Sequence, residues 1–324
     1  METDLPEAEL WAHRSSQTEP DGLDAFWAGT LARSRAAGGE VRLEPVGTVL
    51  RTVEVDDVTF PGYDGEPVRA WLRRPVTALR GDGPLPVVVE YVGYGGGRGR
   101  PEESLLWASA GYAHLHVDTR GQGAVWSRGD TPDSGPAGPQ VPGVMTRGVT
   151  APETYYYRRL FADAARAVDA ARSLDGLDPA RVAVVGRSQG GAAAIAAAAL
   201  VPDVSAVVAM VPFLCDVPRA LRITDADPFA EVVRYLATHR DEVDAVLATL
   251  AHVDGVNLAR RGRAPALFSA ALMDAVVPPS TVFGAYHAYG GPKRMSVWPY
   301  NGHEGGGVDD DRAAVDFVRE HLGG

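Results

Sequence analysis

The chain has 324 residues, 45% of them hydrophobic, which is enough to bury a sizeable core as one large α/β domain or two smaller ones. Its formal net charge of -11 disfavours nucleic acids and anionic membranes as partners, because both require clustered cations. Cys215 is the only cysteine, which excludes an intrachain disulfide and a cysteine-based zinc cluster.

The first part of the chain predicts a helical extension over residues 1–40, followed by antiparallel strands. It starts with METDLPEAELWAHRSS, which is acidic and lacks a long apolar run, so we expect no signal peptide, no membrane span and a cytoplasmic location. The stretch DAFWAGTLARSRAAG is typical of a helix. Residues 41–75 then alternate apolar and polar side chains around the turn PGYDGEP, which indicates antiparallel strands.

From Pro86 onward, short apolar strands are mostly separated by segments of helical length. The strands are PVVVEYV, YAHLHV, RVAVVG, VSAVVAMV, APALFSAAL and RMSVW. This alternation predicts a mainly parallel, doubly wound sheet in a single α/β domain over residues 1–324, with ligands at the carboxyl ends of the strands. Residues 128–148 are rich in Gly and Pro and predict an irregular excursion, and residues 216–263 predict a helical cap insertion.

A glycine-rich loop, GYGGGRG, follows the first of these strands and contains Tyr94. It does not fit the dinucleotide fingerprint G-x-G-x-x-G, because Arg98 or Arg100 occupies the position of the third glycine. The backbone N–H of Tyr94 is a candidate donor to a ligand at this edge of the sheet. A tight turn without chemistry is the alternative.

The next strand carries His114 and His116 on one face, in the manner of a pair of metal ligands. We find no third ligand nearby and expect these side chains to meet solvent or a packed helix. Arg120 follows in DTRGQGAVW, and we expect its guanidinium to hold neighbouring loops together through carbonyl or carboxylate partners.

Ser188 lies between Gly186 and Gly190, where the apolar strand VAVVG changes into the helix AAAIAAAAL. Gly-x-Ser-x-Gly at such a turn is the nucleophile elbow of α/β-hydrolases, in which the glycines permit a strained backbone and close packing. The backbone N–H of Gln189 and that of Tyr94 would then form an oxyanion hole. A glycine-rich turn of purely structural purpose is the alternative.

A serine nucleophile needs a histidine base, and that base needs a carboxylate to orient it. Of the histidines after Ser188, His287 and His321 lie in predicted helices, whereas His303 follows the strand RMSVW on a glycine-flanked loop. His303 is therefore the predicted base.

The predicted carboxylate is Asp274, which ends the strand ALFSAALMD 29 residues before His303. A structural role as a helix or turn cap is the alternative for this residue. The other aspartates between Ser188 and His303 fall in the predicted cap, where we expect them to face water. They are Asp216, Asp225, Asp227, Asp241, Asp244 and Asp254.

With these residues assembled, the chain resembles the acetyl xylan esterase and cephalosporin C deacetylase family, the seventh carbohydrate esterase family. The resemblance rests on RGQ (residues 120–122), GRSQGG (residues 186–191) and HE (residues 303–304), together with GYGGGRG, TRGVTAPETYYYRRLFADA, VPFLCDVPRA and DAVVPPST. One departure is Val276-Val277, where the family leads us to expect Ile-Cys before PPST, which alters the packing beside Asp274 without removing the acid.

The resemblance implies an α/β-hydrolase in which Ser188 is the nucleophile, His303 the base and Asp274 its carboxylate. It also implies Tyr94 and Gln189 as the oxyanion hole. The supporting residues of the motifs are Arg120, Gln122, Gly186, Gly190 and Glu304. The family implies a hydrolase without cofactor or metal that acts on small acetylated sugars and cephalosporin C, and an intracellular homohexamer.

Two other functions compete with this interpretation. One is a different serine hydrolase on the same fold, such as a peptidase or an esterase for larger acyl groups. The other is a binding or assembly protein that keeps the fold without turnover, against which the complete Ser, Asp and His set argues.

Overall fold

A computed structural model describes residues 4–76, 83–135, 138 and 143–323 of the chain. Its centre is a mixed sheet of nine strands, within these ranges, in the order β1-β2-β3-β5-β4-β6-β7-β8-β9. The strands are β1 (Arg42–Pro45), β2 (Val53–Pro61), β3 (Pro67–Pro75), β4 (Leu85–Tyr91), β5 (Ala113–Val117), β6 (Leu177–Arg187), β7 (Ala206–Met210), β8 (Ala266–Ala271) and β9 (Lys293–Trp298).

The two halves of the sheet differ in strand direction, as the sequence predicts. Strands β1, β2 and β3 pair antiparallel, and β3 also pairs antiparallel with β5. From β5 onward, in the order β5, β4, β6, β7, β8 and β9, each strand is parallel to the next. The central strands β7 and β8 are buried at every position, as expected of a parallel sheet covered on both faces.

Helices cover both faces of the sheet and occupy the connections between its strands. They are α1 (Glu7–Ala12), α2 (Leu23–Ala36), α3 (Leu106–Ser109), α4 (Tyr156–Ser173), α5 (Gln189–Leu200), α6 (Val217–Ile223), α7 (Phe229–Thr238), α8 (Val243–Ala251), α9 (Gly255–Ala259), α10 (Pro279–Ala288) and α11 (Val308–Leu322). A short 3-10 turn, Tyr63–Gly65, joins β2 to β3. The mainly parallel, doubly wound architecture with amino-terminal antiparallel strands is confirmed.

The main hydrophobic core lies where α4 and α5 pack against the sheet. Helix α5 is almost entirely buried, and its run of alanines lets it approach β6 and β7 closely because the side chains are small. A second core, which includes Val185, Val208 and Phe317, joins α11 to the opposite face. Both cores lie beneath the carboxyl ends of β6, β7 and β8, which fixes the positions of the loops that follow these strands.

Residues 216–263 hold the helices α6 to α9 after strand β7. Within residues 128–148, the described residues form neither helix nor strand, and residues 136–137 and 139–142 lie outside the described ranges. The expectation that the aspartates of the cap face water is wrong for Asp216 and Asp254, which are 3% and 0% exposed. Asp254 is buried because its carboxylate accepts the backbone N–H groups of Asp216, Val217 and Val256 and so begins helix α9.

Among the described residues, no helix is both long enough and apolar enough to cross a membrane.

Candidate active site

Ser188 occupies a sharp turn between strand β6 and helix α5. Its backbone angles, φ 57° and ψ −119°, lie in a region that residues with a side chain rarely adopt, at a cost of about 1–3 kcal/mol. The backbone on both sides of this turn is closely packed. A Cβ on Gly186 would lie 2.2 Å from the carbonyl carbon of Gly190, and a Cβ on Gly190 would lie 2.1 Å from the backbone oxygen of Tyr91. Glycine is therefore required at both predicted positions.

The structure brings the three predicted side chains together at the carboxyl edge of the sheet. The Ser188 Oγ lies 3.0 Å from the Nε2 of His303, and the Nδ1 of His303 lies 2.8 Å from the Oδ2 of Asp274. These residues follow β6, β9 and β8, respectively. A continuous hydrogen-bonded path therefore runs from a buried carboxylate to the serine hydroxyl.

Burial differs along this path. The Asp274 side chain is 0% exposed, whereas the His303 side chain is 32% exposed. The Oδ1 of Asp274 accepts the backbone N–H groups of Val276 and Val277 at 2.9 and 2.8 Å, which holds the carboxylate in place. Val276 and Val277, which depart from the family pattern, therefore hold Asp274 through their backbone N–H groups. These hydrogen bonds do not depend on which side chains the two residues carry.

A cavity of about 350 Å³ opens above Ser188 and His303. Its volume is at the lower end of the range for small-molecule sites. Its walls come from the glycine-rich loop, from the loop after Arg120, from the helical segment 216–263 and from the loop after Asp274. The residues that line it besides Ser188 and His303 are Gly93, Tyr94, Trp126, Arg187, Asp227, Pro228 and Val276.

The two predicted oxyanion donors lie on opposite sides of Ser188. Gln189 is the first residue of α5, where backbone N–H groups have no partner within the helix and the helix dipole favours negative charge. Tyr94 lines the cavity from the glycine-rich loop, and its backbone oxygen accepts the indole N–H of Trp126 at 2.7 Å. The role of both N–H groups stays a prediction.

Gln122 connects these two sides directly. Its Oε1 accepts the backbone N–H of Gly95 at 2.6 Å, and its Nε2 donates to the Oε1 of Gln189 at 2.9 Å. The same Nε2 lies 2.8 Å from the hydroxyl of Tyr156, and the hydroxyl of Tyr157 donates to Gln189. The family resemblance marked Gln122 as a supporting residue, but its partners come from the glycine-rich loop and from the starts of α4 and α5, so no local sequence pattern marks them.

Arg120, two residues before Gln122, is fully buried. Its guanidinium makes two hydrogen bonds to Asp163, at 2.5 and 2.8 Å, and one to Glu66 at 2.5 Å. Burial alone would lower the pKa of Arg120, but Asp163 and Glu66 raise it above its usual value, so the side chain stays charged. These ion pairs join α4 to the start of β3, and the supporting role of Arg120 stays a prediction.

Glu304 is exposed and shapes the loop that carries His303. Its Oε1 accepts the side-chain N–H of Asn301 and the backbone N–H of Gly302, both at 3.1 Å. Its backbone oxygen accepts a hydrogen bond from Arg187 at 2.6 Å. The loop is thereby linked to the end of β6, one residue before Ser188.

Of the two surroundings expected for His114 and His116, solvent and a packed helix, solvent is wrong. Both side chains are buried, at 0% and 7% exposure. Glu90 lies on the neighbouring strand with its Oε2 2.7 Å from the Nε2 of His114, so an acidic group is nearby after all. Nevertheless, no group of three His, Cys, Asp or Glu residues in the described part of the chain has the geometry to hold a metal ion.

A doubly wound sheet with a strained serine turn after β6, an aspartate after β8 and a histidine after β9 defines an α/β-hydrolase. Comparison with known families narrows this class. Residues 1–321 match the sequence profile of the family described as acetyl xylan esterase (AXE1). The chain therefore belongs to the acetyl xylan esterase family, whose members are carboxylic ester hydrolases.

Individual relatives agree with this assignment. The structure superposes on the acetyl xylan esterase from Paenibacillus sp. R4 with a TM-score of 0.90 and 35% identity, covering 98% of this chain and 100% of that one. Acetyl xylan esterase 1 from Thermoanaerobacterium sp. JW/SL YS485 gives a TM-score of 0.88 and 30% identity, covering 98% and 99%. The acetyl esterase Axe7A of Xylanibacter ruminicola is 27% identical over 88% of this chain, and the match spans 63% of that longer protein.

Proposed function

We propose that this protein is a serine esterase that hydrolyses short-chain acyl esters, chiefly acetyl esters, of carbohydrates. The observation that carries the proposal is the distance of 3.0 Å between Ser188 Oγ and His303 Nε2, with His303 Nδ1 2.8 Å from the buried Asp274. This spacing suits transfer of the serine proton to the imidazole as the hydroxyl attacks a carbonyl carbon. The machinery lies within a single α/β-hydrolase domain.

The reaction then proceeds in two halves. In the first, Ser188 Oγ bonds to the acetyl carbon, His303 takes the serine proton, and the backbone N–H groups of Tyr94 and Gln189 stabilise the oxyanion. The tetrahedral intermediate collapses as the bond to the sugar oxygen breaks, and His303 returns the proton to the departing alcohol. In the second, His303 takes a proton from water, the hydroxide attacks the acetyl-enzyme, and acetate leaves as Ser188 regains its proton.

The size and lining of the cavity favour a substrate with a small acyl group and an extended alcohol. Val276 and Pro228 provide apolar surface next to Ser188, and the Trp126 indole, 62% exposed, forms the outer wall. A volume of about 350 Å³ open to solvent accommodates an acetyl group with room for part of a sugar. Because two solved relatives are acetyl xylan esterases, acetylated xylo-oligosaccharides are the first proposed substrates, with cephalosporin C as a second.

Acetate release from acetylated xylo-oligosaccharides, other acetylated sugars and cephalosporin C tests the proposal. We expect turnover of at least one of these compounds and a steep loss of activity on p-nitrophenyl esters longer than propionate. Equal or greater activity on long acyl chains would favour an esterase for larger acyl groups, and cleavage of peptides instead of esters would favour a peptidase. Failure of a fluorophosphonate probe to label the wild-type protein would favour a binding or assembly protein without turnover.

The family resemblance also supports a cytoplasmic homohexamer as the working form. Light scattering after size-exclusion chromatography tests the assembly, and a mass of six chains is expected. A stable monomer with full activity would contradict it.

A further inference from the structure

The peptide that carries the proposed oxyanion donor Tyr94 lies in a stretch with little conformational preference of its own. Four of its neighbours are glycine, at positions 93, 95, 96 and 97, and Gly95 has a positive φ of 78°. Glycine accepts many backbone conformations at similar energy. The direction of the Tyr94 N–H must therefore be imposed by contacts from outside the loop.

The side chain of Tyr94 supplies such contacts. Its hydroxyl donates to the Oε1 of Glu231 at 2.6 Å and accepts the backbone N–H of Val144 at 2.8 Å. The Oε2 of Glu231 accepts the backbone N–H of Met145 at 3.1 Å. One tyrosine and one glutamate thereby join the glycine-rich loop, residues 144–145 and helix α7.

Glu231 is itself held firmly. It lies in the first turn of α7 and is 3% exposed, although glutamate is almost never fully buried without partners. A Cβ on Gly143 would lie 2.2 Å from its Oε1, so the backbone passes directly over the carboxylate. Burial, together with the neighbouring Glu231, raises the pKa of Tyr94, so the phenol keeps its proton and remains the donor.

We propose that Glu231 is a positioning residue for the oxyanion hole, acting through the phenol of Tyr94 to fix the peptide whose N–H stabilises the oxyanion. This inference rests on the proposed function, in which Tyr94 is an oxyanion donor. The helical segment 216–263 then contributes to catalysis as well as to the cavity wall. A shift of α7 relative to the sheet would reorient an oxyanion donor.

The chain offers a matched control near the end of the same helix. Tyr235 of α7 donates to Glu242, which immediately precedes α8, but neither residue lines the cavity or contacts the glycine-rich loop in the described structure. Glu242→Gln therefore removes a comparable charge from the cap without disturbing Tyr94.

The test compares three variants, Glu231→Leu, Glu231→Gln and Tyr94→Phe, with the control Glu242→Gln. Two quantities are measured, the hydrolysis of p-nitrophenyl acetate and the inhibition by trifluoroacetone. Trifluoroacetone forms a tetrahedral adduct with a nucleophilic serine. Because loss of one oxyanion donor costs about 10²–10³ in kcat, misplacing it in Glu231→Leu should lower kcat about 10–100-fold. KM should change less than about twofold, and trifluoroacetone should bind more weakly by about the same factor as kcat.

The remaining variants separate positioning from general damage. Glu231→Gln keeps one acceptor oxygen and should fall between wild type and Glu231→Leu. Tyr94→Phe should match Glu231→Leu, and it decides the question if Glu231→Leu does not fold by circular dichroism. Glu242→Gln should retain wild-type kcat and wild-type trifluoroacetone affinity.

Folded Glu231 variants with wild-type kcat, or with a raised KM at unchanged kcat, would overturn the proposal. That result differs from failure of the proposed function, in which wild type and Ser188→Ala would hydrolyse the acetyl ester at the same rate.

Discussion

Two constellations of charged and polar side chains lie close together in this molecule, and one of them lines the cavity above Ser188 whereas the other does not. In one, the buried carboxylate of Asp274 leads through His303 to Ser188, and the imidazole is 32% exposed at a cavity. In the other, the Arg120 side chain is 0% exposed and pairs with Asp163, which is 2% exposed, and with Glu66, which is 31% exposed. Similar ionic chemistry thus favours a reaction where its last member lines a ligand cavity, and holds the fold together where the charges join a helix to the sheet.

The positions of the two constellations in the fold explain this difference. Ser188, Asp274 and His303 each follow the carboxyl end of a parallel strand, which is the edge where α/β sheets bind ligands. Asp163 lies on α4 and Glu66 precedes β3, so Arg120 connects the helical layer to the antiparallel part of the sheet. Damage to the first should therefore impair turnover, and damage to the second should impair stability.

The largest expected effect is on turnover in Ser188→Ala. Removal of the proposed nucleophile should lower kcat by about 10⁴–10⁶-fold, since the remaining groups provide only residual catalysis. The free energy of unfolding should change little, because Ser188 is partly exposed and its hydroxyl bonds to the imidazole of His303, which is itself partly exposed. Acetate release and urea unfolding measure the two quantities, and a large loss of stability in Ser188→Ala would remove the distinction between the two constellations.

The second largest effect is on stability in Arg120→Met. This change leaves Asp163 buried without its bidentate partner and should lower the free energy of unfolding by about 3–5 kcal/mol. Arg319→Met serves as a control, because Arg319 pairs with Asp316 on α11, where the two side chains are 55% and 64% exposed, and the change should cost at most about 1 kcal/mol. Equal losses in the two variants, measured by urea unfolding, would contradict the structural role of Arg120.

A third buried polar cluster, around His116, should make the free energy of unfolding depend on pH. Burial lowers the pKa of His116 to about 3, so the folded protein keeps this imidazole neutral while the unfolded chain binds a proton near pH 6.5. Stability from this group is present above pH 6.5 and is lost as pH falls toward 3. Between pH 6.5 and pH 5 the loss should reach about 2 kcal/mol.

Replacement of His116 by Phe should remove this part of the pH dependence. Urea unfolding of wild type and His116→Phe at pH 5, 6 and 7 measures it, with His252→Phe on the exposed end of α8 as the control. Parallel stability curves for wild type and His116→Phe would show that His116 is charged in the folded state.

The smallest expected effect is in Gln122→Ala, which lies between the two constellations. Loss of its bonds to Gly95 and Gln189 should lower kcat about 10-fold by loosening both proposed oxyanion donors, and should cost about 1–2 kcal/mol of stability. Steady-state kinetics and thermal unfolding check the two values. A change confined to stability would place Gln122 with Arg120 and outside the catalytic machinery.

The sequence predicted that Ser188, Asp274 and His303 meet, because each follows an apolar strand and parallel strands bring their carboxyl ends to one edge, and the structure places them within hydrogen-bond distance of one another along this path. The sequence did not predict contacts that depend on which strands become neighbours in the sheet. Glu90 meets His114 only because β4 lies next to β5 in the sheet.

Buried polar groups in helical segments were also beyond sequence reasoning. Asp254 and Glu231 occur in stretches with ordinary surface composition, yet both are buried against backbone N–H groups of distant segments. The partners that offset the cost of burial are far apart in the chain, so no local pattern marks them.

The central claim is that Ser188 carries the acyl group during turnover. The most direct measurement is rapid acid quenching of the wild-type protein with p-nitrophenyl acetate, followed by proteolysis and mass spectrometry. We expect one acetyl group on the peptide containing Ser188 in wild type and none on that peptide in Ser188→Ala. We also expect a burst of p-nitrophenol from wild type. Turnover of the ester in wild type without acetylation of that peptide, or with the same rate in Ser188→Ala, would contradict it.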